Sequence, residues 1–188
     1  MKVTETSLPG VLIVEPRIFG DRRGYFLETY HRDRYSEAGI PGQFVQDNLS
    51  FSCCGTLRGL HLQHPHAQGK LVQVLQGEVF DVAVDVRRGS PSFGKWTGVW
   101  LSAENHRQFW IPEGFAHGFC VVSETALFSY KCTDIYHPDC ELSIRWDDPD
   151  IGIDWPPVRV SLSDKDSAAA NLAAVPEDAL PAYREGPP

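Results

Sequence analysis

The sequence has few of the features that mark membrane-spanning or disulfide-rich proteins. No apolar run approaches the roughly 18 residues that a membrane helix needs. The 188 residues include five cysteines, an odd number, with no CxxC spacing among them. No secretory leader is recognisable at the start of the sequence. We therefore expect reduced thiols in a cytoplasmic protein that makes no membrane contact.

Positive charge is also scarce. The chain has 17 Lys and Arg against 25 Asp and Glu, which gives a formal net charge of -8. This balance argues against a general nucleic-acid binder, although a local basic pocket for an anionic ligand remains compatible with it. The hydrophobic fraction of 42% is ordinary for a globular protein. The length predicts a single domain over residues 1–188.

Helix signals are few. The segment HRDRYSEAG predicts a short helix that ends at Gly39. The segment DKDSAAANLAA predicts a second one, with Ser163 or Asp164 as its cap. The remaining residues, 176–188, are predicted to form a loosely packed tail.

Short runs rich in valine and aromatic residues alternate with turn formers along most of the chain. These runs are GVLIVEP, GYFLETY, KLVQVL, EVFDVAVDV, WTGVWLS, RQFWIP, HGFCVVS and ALFSYKC. Many short strands at this spacing predict an all-β sandwich or barrel. In VFDVAVDV, the carboxylates of Asp81 and Asp85 fall on the face opposite the large apolar residues. That face lines a polar cavity or is a solvated outer surface, and the pattern alone leaves both interpretations open.

Two motifs resemble the metal-binding motifs of the cupin superfamily, a group of jelly-roll sandwiches. The first is HPH, with His64 and His66, and the second is PEGFAH, which ends in His117. The position of the acidic ligand in the first motif is occupied by Lys70. An ammonium group repels a metal ion and has no lone pair to donate. We therefore expect no metal at this site and interpret His64 and His66 as surface histidines.

Longer segments follow in a fixed order between Thr6 and Asp166. They are FGDRRGYFLE, FVQDN, LRGLHLQ, AQGKLVQVLQGEVFDVAVDVRRGSPSFGKW, LSAEN, WIPEGFAHGF, YKCTDIYHP, WDDPDIGIDWP and LSDKD. In this order they resemble the dTDP-4-dehydrorhamnose 3,5-epimerases, a metal-independent branch of the cupins. The resemblance implies a cupin-type jelly roll with a few short helices, mainly C-terminal. It also implies no cofactor and a homodimer with an exchanged N-terminal strand.

The resemblance further implies a reaction and its catalytic residues. The family inverts C3 and C5 of dTDP-4-dehydro-6-deoxy-D-glucose through an enolate at O4, for dTDP-L-rhamnose or a related deoxysugar. His61 matches the base and Asp166 its carboxylate partner, which would stabilise the imidazolium. Tyr130 matches the acid on the opposite face. Lys70 matches the cation beside the O4 oxyanion, and His117 matches a further donor.

Other matching positions contact the nucleotide in the family. They are Arg23, Phe26, Glu28, Gln46, Asn48, Arg58, Tyr136, Glu141 and Lys165. By this match Arg23, Arg58 and Lys165 hold the diphosphate and its surroundings, since guanidinium groups suit phosphate. Tyr136 matches the ring that stacks on thymine. Arg23 is assigned over its neighbour Arg22 by spacing alone.

Three alternatives remain open. The first is an epimerase of an antibiotic-sugar pathway that inverts only C3 or only C5. The second is a metal-dependent cupin isomerase or dioxygenase that uses His64, His66 and His117. The third is a cupin that binds sugar nucleotides without catalysis, against which the intact set of His61, Asp166 and Tyr130 argues.

Overall fold

The computed structural model describes residues 1–40 and 43–184. The strands in this part of the chain are β1 (Lys2–Glu5), β2 (Leu12–Glu15), β3 (Ile18–Asp21), β4 (Gly24–Leu27), β5 (Gln46–Cys53), β6 (Leu57–Gln63), β7 (Lys70–Gln76), β8 (Glu78–Asp85), β9 (Trp96–Ser102), β10 (Gln108–Ile111), β11 (Phe115–Val121), β12 (Thr125–Cys132) and β13 (Glu141–Ser143). The α-helices are α1 (Arg32–Glu37) and α2 (Asp164–Ser167). Short 3₁₀ helices cover Pro138–Cys140, Leu172–Ala174 and Glu177–Ala179. None of the helices described is both long and apolar enough to cross a membrane.

The strands form two large antiparallel sheets and one hairpin. The six-stranded sheet has the order β1-β2-β10-β7-β12-β5, and the five-stranded sheet has the order β13-β6-β11-β8-β9. Among the described residues, strands β3 and β4 pair with each other alone. This all-β architecture is the cupin-type fold predicted from the sequence. Each of the eight valine-rich and aromatic runs contains a strand.

The main core lies between the two large sheets. It includes Val72 and Phe128 from the six-stranded sheet and Ala83 and Phe119 from the five-stranded sheet. Phe119 and Phe128 stack across this interface with ring centroids 4.1 Å apart. Full burial of one large apolar side chain contributes about 1.5–3 kcal/mol, so this layer stabilises the pairing of the sheets.

Strand β8 is buried on both faces. Phe80, Val82 and Val84 pack in a second core on the outer side of the five-stranded sheet, under the C-terminal segment. Asp81 and Asp85 on the opposite face are both 0% exposed. The face that carries these carboxylates is therefore an interior face, and the alternative of a solvated outer surface was wrong.

The C-terminal segment is packed more tightly than the sequence suggested. Leu180 is 2% exposed and belongs to the second core. Ala182 forms a bridge with Arg88, and the backbone amide of Tyr183 donates to the Arg88 carbonyl oxygen. The prediction of a loose tail was therefore wrong for residues 176–184, because the outer face of β8 needs an apolar cover. Residues 185–188 lie outside the described part of the chain.

The two predicted helices are present but short. Helix α1 ends at Glu37 and is followed by Gly39 at φ +86°, as the sequence predicted. It places Tyr35 in a third core on the outer side of the six-stranded sheet. Helix α2 starts after Ser163, whose hydroxyl accepts a hydrogen bond from the backbone amide of Asp166, so Ser163 is the cap. The second helix spans only four residues of the longer segment predicted.

Strands β6 and β11 approach closely where they place His61 directly opposite His117. Gly59 has φ +139°, and a Cβ atom there would lie 2.6 Å from the Gly118 Cα and 3.0 Å from the His117 carbonyl oxygen. The lack of a side chain at Gly59 therefore allows the two strands to meet beside the two histidines.

We expect Gly59→Ala to lower the free energy of unfolding by about 3 kcal/mol, because backbone strain and a backbone clash add. Gly89→Ala is the control, because Gly89 also has a positive φ, +79°, with nothing within 4 Å of the added Cβ. The control should lose only the strain, about 1 kcal/mol. Urea unfolding of both variants measures the difference. Equal losses would mean that the contact with β11 is unimportant.

Candidate active site

An open cleft lies at one end of the space between the two sheets. It has two lobes of about 270 Å³ each, and both lobes are lined by His61, Lys70 and Tyr130. Strand β6 supplies His61, β7 supplies Lys70 and β12 supplies Tyr130. Both sheets therefore contribute ionisable groups to one cavity, as the resemblance predicted for these three residues.

His61 and Asp166 form a close pair at the floor of the first lobe. The His61 Nε2 atom is 2.6 Å from Asp166 Oδ1, and the Asp166 side chain is only 4% exposed. Burial raises the pKa of Asp166, but the hydrogen bond and the charge of His61 outweigh it, so the net pKa lies below the usual range. Asp166 is therefore a carboxylate at neutral pH. It can orient the imidazole and stabilise its protonated form.

Lys70 and Tyr130 line the six-stranded-sheet side of the cleft. Burial lowers the pKa of Lys70, whereas Coulombic interactions with Cys132, Glu141 and Asp81 act to raise it. Burial also raises the pKa of Tyr130, with Cys132 acting in the same direction and Arg58 opposing it. The cleft thus presents a half-buried lysine side chain and a protonated phenol, both able to donate to an oxygen or carbon between them.

His117 forms a second pair with a carboxylate deeper in the same lobe. Its Nε2 atom is 2.9 Å from Asp81 Oδ1 and 3.1 Å from Asp81 Oδ2, and the pair is buried. Burial raises the pKa of Asp81, partly offset by His117 and Lys70. The sequence had placed Asp81 on a polar face but had given it no partner. Its role as the partner of His117 follows only from the pairing of β8 with β11.

A network of polar side chains forms the rim of the second lobe. Glu141 Oε2 accepts a hydrogen bond from the Tyr136 hydroxyl at 2.8 Å and forms an ion pair with Lys165 Nζ at 2.5 Å. The backbone amide of Tyr136 donates to Gln46 Oε1 at 2.8 Å, and Gln46 Nε2 donates to Asn48 Oδ1 at 3.0 Å. The structure thus brings together these five predicted nucleotide-binding residues. Tyr136 is 49% exposed, so its ring is available to a ligand.

Arg58 extends the positive charge of the first lobe. Its Nε and Nη2 atoms both donate to Ser52 Oγ at 3.2 Å, which fixes the plane of the guanidinium group. With Lys70 and Lys165, it gives this lobe three cationic side chains in a chain of net charge -8. The net charge of the chain was compatible with a local basic pocket, and these three side chains form one.

Three predicted substrate-binding residues lie elsewhere. Arg23, Phe26 and Glu28 are on or just after the β3–β4 hairpin, and none of them lines either lobe. Arg23 pairs with Asp21, and Glu28 pairs with Arg34. Phe26 is 69% exposed. Within a single chain, these residues are not part of the cleft.

The cleft also contains residues that the sequence did not single out as site residues. They are Ser50, Leu62, Gln63, Gln68, Phe119, Phe128 and Ser163. Phe119 and Phe128 come from opposite sheets and form the apolar wall beside His117. Only the pairing of the sheets brings them together. Gln63 and Gln68 flank the HPH segment, and this position was the feature of the sequence that came closest to identifying any of these residues.

The histidines of the alternative metal site do not converge. His117 lines the cleft, whereas His64 and His66 line neither lobe. The His66 ring stacks instead on His137, with centroids 4.2 Å apart. The geometry therefore does not support a metal-dependent cupin site built from His64, His66 and His117.

Comparisons with known proteins agree on one family. Residues 5–174 match the family model described as dTDP-4-dehydrorhamnose 3,5-epimerase. The chain is 59% identical over 157 residues to the dTDP-4-dehydrorhamnose 3,5-epimerase of Pseudomonas aeruginosa, which covers 83% of this chain and 87% of that protein. It is 39% identical over 186 residues to a dTDP-4-dehydrorhamnose 3-epimerase of Streptomyces niveus, covering 97% of this chain and 90% of that protein.

A solved structure gives the same result. The dTDP-6-deoxy-D-glucose-3,5-epimerase of Legionella pneumophila, in complex with dTDP-4-keto-L-rhamnose, superposes with a TM-score of 0.95 at 55% identity. The match covers 97% of this chain and 98% of that one. The family model spans most of the chain, and the Pseudomonas aeruginosa relative is more than half identical to it. On these grounds the chain belongs to the dTDP-4-dehydrorhamnose 3,5-epimerase family of cupin-fold enzymes.

Proposed function

We propose that this enzyme inverts C3 and C5 of dTDP-4-dehydro-6-deoxy-D-glucose to give dTDP-4-dehydro-L-rhamnose, in deoxysugar biosynthesis. The observation that carries the proposal is the His61–Asp166 pair in one cleft with Lys70 and Tyr130. The higher identity to 3,5-epimerases than to the 3-epimerase favours two inversions over one. The described cysteines are all unpaired, including the exposed Cys53 and Cys54, which fits a reducing cytoplasm.

In the proposed mechanism, His61 removes the proton. Both C3 and C5 flank the C4 ketone, so loss of either proton gives an enolate with its charge on O4. The carboxylate of Asp166 holds one ring nitrogen of His61 and leaves the other for the substrate. It also stabilises the imidazolium that forms when His61 takes the proton.

Lys70 and Tyr130 complete the reaction. The Lys70 amine stabilises the developing oxyanion at O4, with His117 as a further donor in the same lobe. Tyr130 returns a proton from the face opposite His61. Its raised pKa keeps it protonated near neutral pH, as an acid must be. This sequence of proton transfers needs no metal ion.

The rim network supplies the nucleotide site in this proposal. In this proposal Arg58 and Lys165, which line the first lobe, contact the diphosphate, and Tyr136, which lines the second lobe, stacks on thymine. Glu141 and the amides of Gln46 and Asn48 give the polar contacts around the base and the sugar. A base stacked on one aromatic ring contributes about 1–3 kcal/mol of binding free energy.

The cleft of a single chain does not contain Arg23, Phe26 or Glu28. A second copy of the chain would have to supply them. We propose a homodimer in which the β3–β4 hairpin of each subunit lies over the cleft of the other. An isolated two-stranded hairpin is marginally stable, so this one needs a packing partner. Its apolar side chains are exposed, with Phe19 at 50% and Tyr25 at 61%, as at an interface between subunits.

The variant that separates the two proton transfers is Tyr130→Phe, which keeps the ring and removes the donor. In D₂O it should still place deuterium at C5 of recovered substrate, because His61 can return a deuteron to the same face. It should form little inverted product. His61→Ala should lose both exchange and inversion, with turnover falling about 10²–10⁴-fold or more. Mass spectrometry and proton NMR of the recovered sugar measure exchange and configuration separately.

His64→Ala is the matched control, because His64 is three residues from His61 and lines neither lobe. Its turnover should stay within a few-fold of the parent. If the Tyr130→Phe variant still gave full inversion, a group other than Tyr130 would be the acid. Damage by His64→Ala as severe as that by His61→Ala would contradict the interpretation of His64 as a peripheral surface histidine.

Mixed dimers test whether Arg23 acts across the subunit interface. Arg23→Ala and His61→Ala homodimers should each be impaired, whereas a mixed dimer should regain activity. In the mixed dimer, the subunit with native His61 receives native Arg23 from its partner, so one cleft is complete. Arg22→Ala is the control and should retain activity by itself. Absence of complementation in mixed dimers that have been verified by mass spectrometry would contradict the exchange.

A further inference from the structure

A cluster of metal-ligating side chains lies outside the cleft, on the loops that follow β6 and β12. Among the described residues, His66, Asp134 and His137 bring their ligand atoms within 4.8 Å of one another. The His66 Nδ1 atom is 3.6 Å from Asp134 Oδ2, and His137 Nε2 is 3.8 Å from Asp134 Oδ1. The imidazole rings stack with an angle of 21° between their planes.

The backbone of both loops is held in place by Gln63, which is 4% exposed. Its Nε2 atom donates to the carbonyl oxygens of His66 at 2.8 Å and Ile135 at 3.2 Å. Its Oε1 atom accepts from the backbone amide of His137 at 2.9 Å. The Ile135 amide donates to Asp134 Oδ1 at 2.8 Å, which orients the carboxylate. These hydrogen bonds therefore hold the backbone of the two loops together and orient the Asp134 carboxylate.

We propose that His66, Asp134 and His137 form a surface site for a divalent transition-metal ion such as Zn²⁺. Two imidazole nitrogens and one carboxylate oxygen favour zinc and its neighbours over Mg²⁺ or Ca²⁺, which prefer oxygen ligands alone. The carboxylate also offsets part of the charge of the ion.

The side chains can close around such an ion. Ligand atoms on a tetrahedral zinc ion lie about 3.3 Å apart, for bonds of about 2.0–2.1 Å. The two nitrogens lie 3.6 and 3.8 Å from different oxygens of the carboxylate, and all the ligand atoms lie within 4.8 Å of one another, so a shift of about 1.5 Å or less brings them to the zinc spacing. The His66 side chain is 53% exposed and that of His137 is 30% exposed, so both rings can rotate to aim their lone pairs at one point. Water completes the coordination.

The site is separate from the cleft. None of its three ligands lines either lobe, so the ion has no place in the proton transfers proposed for His61 and Tyr130. It gives His66, which the epimerase reaction leaves without a role, a function of its own. His64, in the same HPH segment, is not part of the cluster.

Isothermal titration of Zn²⁺ into the full chain tests the site. The background carries Cys53→Ser and Cys54→Ser, because both thiols are exposed and a thiolate is a zinc ligand that would complicate the titration. We expect one ion per chain. His66→Ala and His137→Ala should each weaken binding by about tenfold or more, and Asp134→Asn should act in the same direction. His64→Ala is the matched control and should bind as the background does.

Circular dichroism verifies that each variant is folded, and the three ligand variants give independent tests of the same site. No stoichiometric zinc in the background protein would overturn the proposal. Binding that survives in the folded His66→Ala and His137→Ala variants, or that is lost equally in His64→Ala, would overturn it as well. The titration measures bound metal and not turnover, so its outcome does not depend on the proposed epimerase reaction.

Discussion

The hydrogen bond between His61 and Asp166 is the contact on which the cleft depends. It joins β6 of the five-stranded sheet to α2 in the C-terminal segment. Ser163 caps α2 by accepting a hydrogen bond from the Asp166 backbone amide at 3.1 Å. This bond fixes the backbone of the turn that carries the Asp166 carboxylate. The same C-terminal segment supplies Leu172 and Leu180 to the core on the outer face of that sheet. Apolar packing and the geometry of the proposed base therefore stabilise each other.

The charges around Lys70 explain why a cation suits the position where metal cupins have a carboxylate. A buried isolated charge costs several kcal/mol, but Lys70 lies near Glu141 and Asp81, which oppose the effect of burial on its pKa. The ammonium repels a divalent ion and attracts an oxyanion. In the proposed mechanism, this preorganised charge stabilises the developing enolate without the reorganisation that water would need. An ammonium in place of a carboxylate at this one position therefore changes the chemistry that the fold can support.

The sequence predicted many of the strands, because short runs rich in valine and aromatic residues alternate with turn formers. It left open whether the face of β8 that carries Asp81 and Asp85 is interior. It did not predict the packing of Leu180, because a short polar tail gives no sign of the apolar face that it must cover. The pairing of Asp81 with His117 depends on strand register, which no local pattern specifies. Arg23 was matched by its motif, yet it lies outside the cleft of its own chain. The ordered motifs predicted which residue types form the site. The contacts among those residues depend on how the two sheets assemble.

Solvent isotope incorporation by the unaltered enzyme tests the central claim most directly. The protein is incubated in D₂O with dTDP-4-dehydro-6-deoxy-D-glucose, and the product is examined by proton NMR and mass spectrometry. Proton abstraction at both carbons beside the C4 ketone predicts deuterium at C3 and at C5, with both centres inverted. Deuterium and inversion at one carbon alone would make the enzyme a single-carbon epimerase. Inversion without deuterium from solvent, or no reaction with this substrate, would contradict enolate chemistry at this cleft.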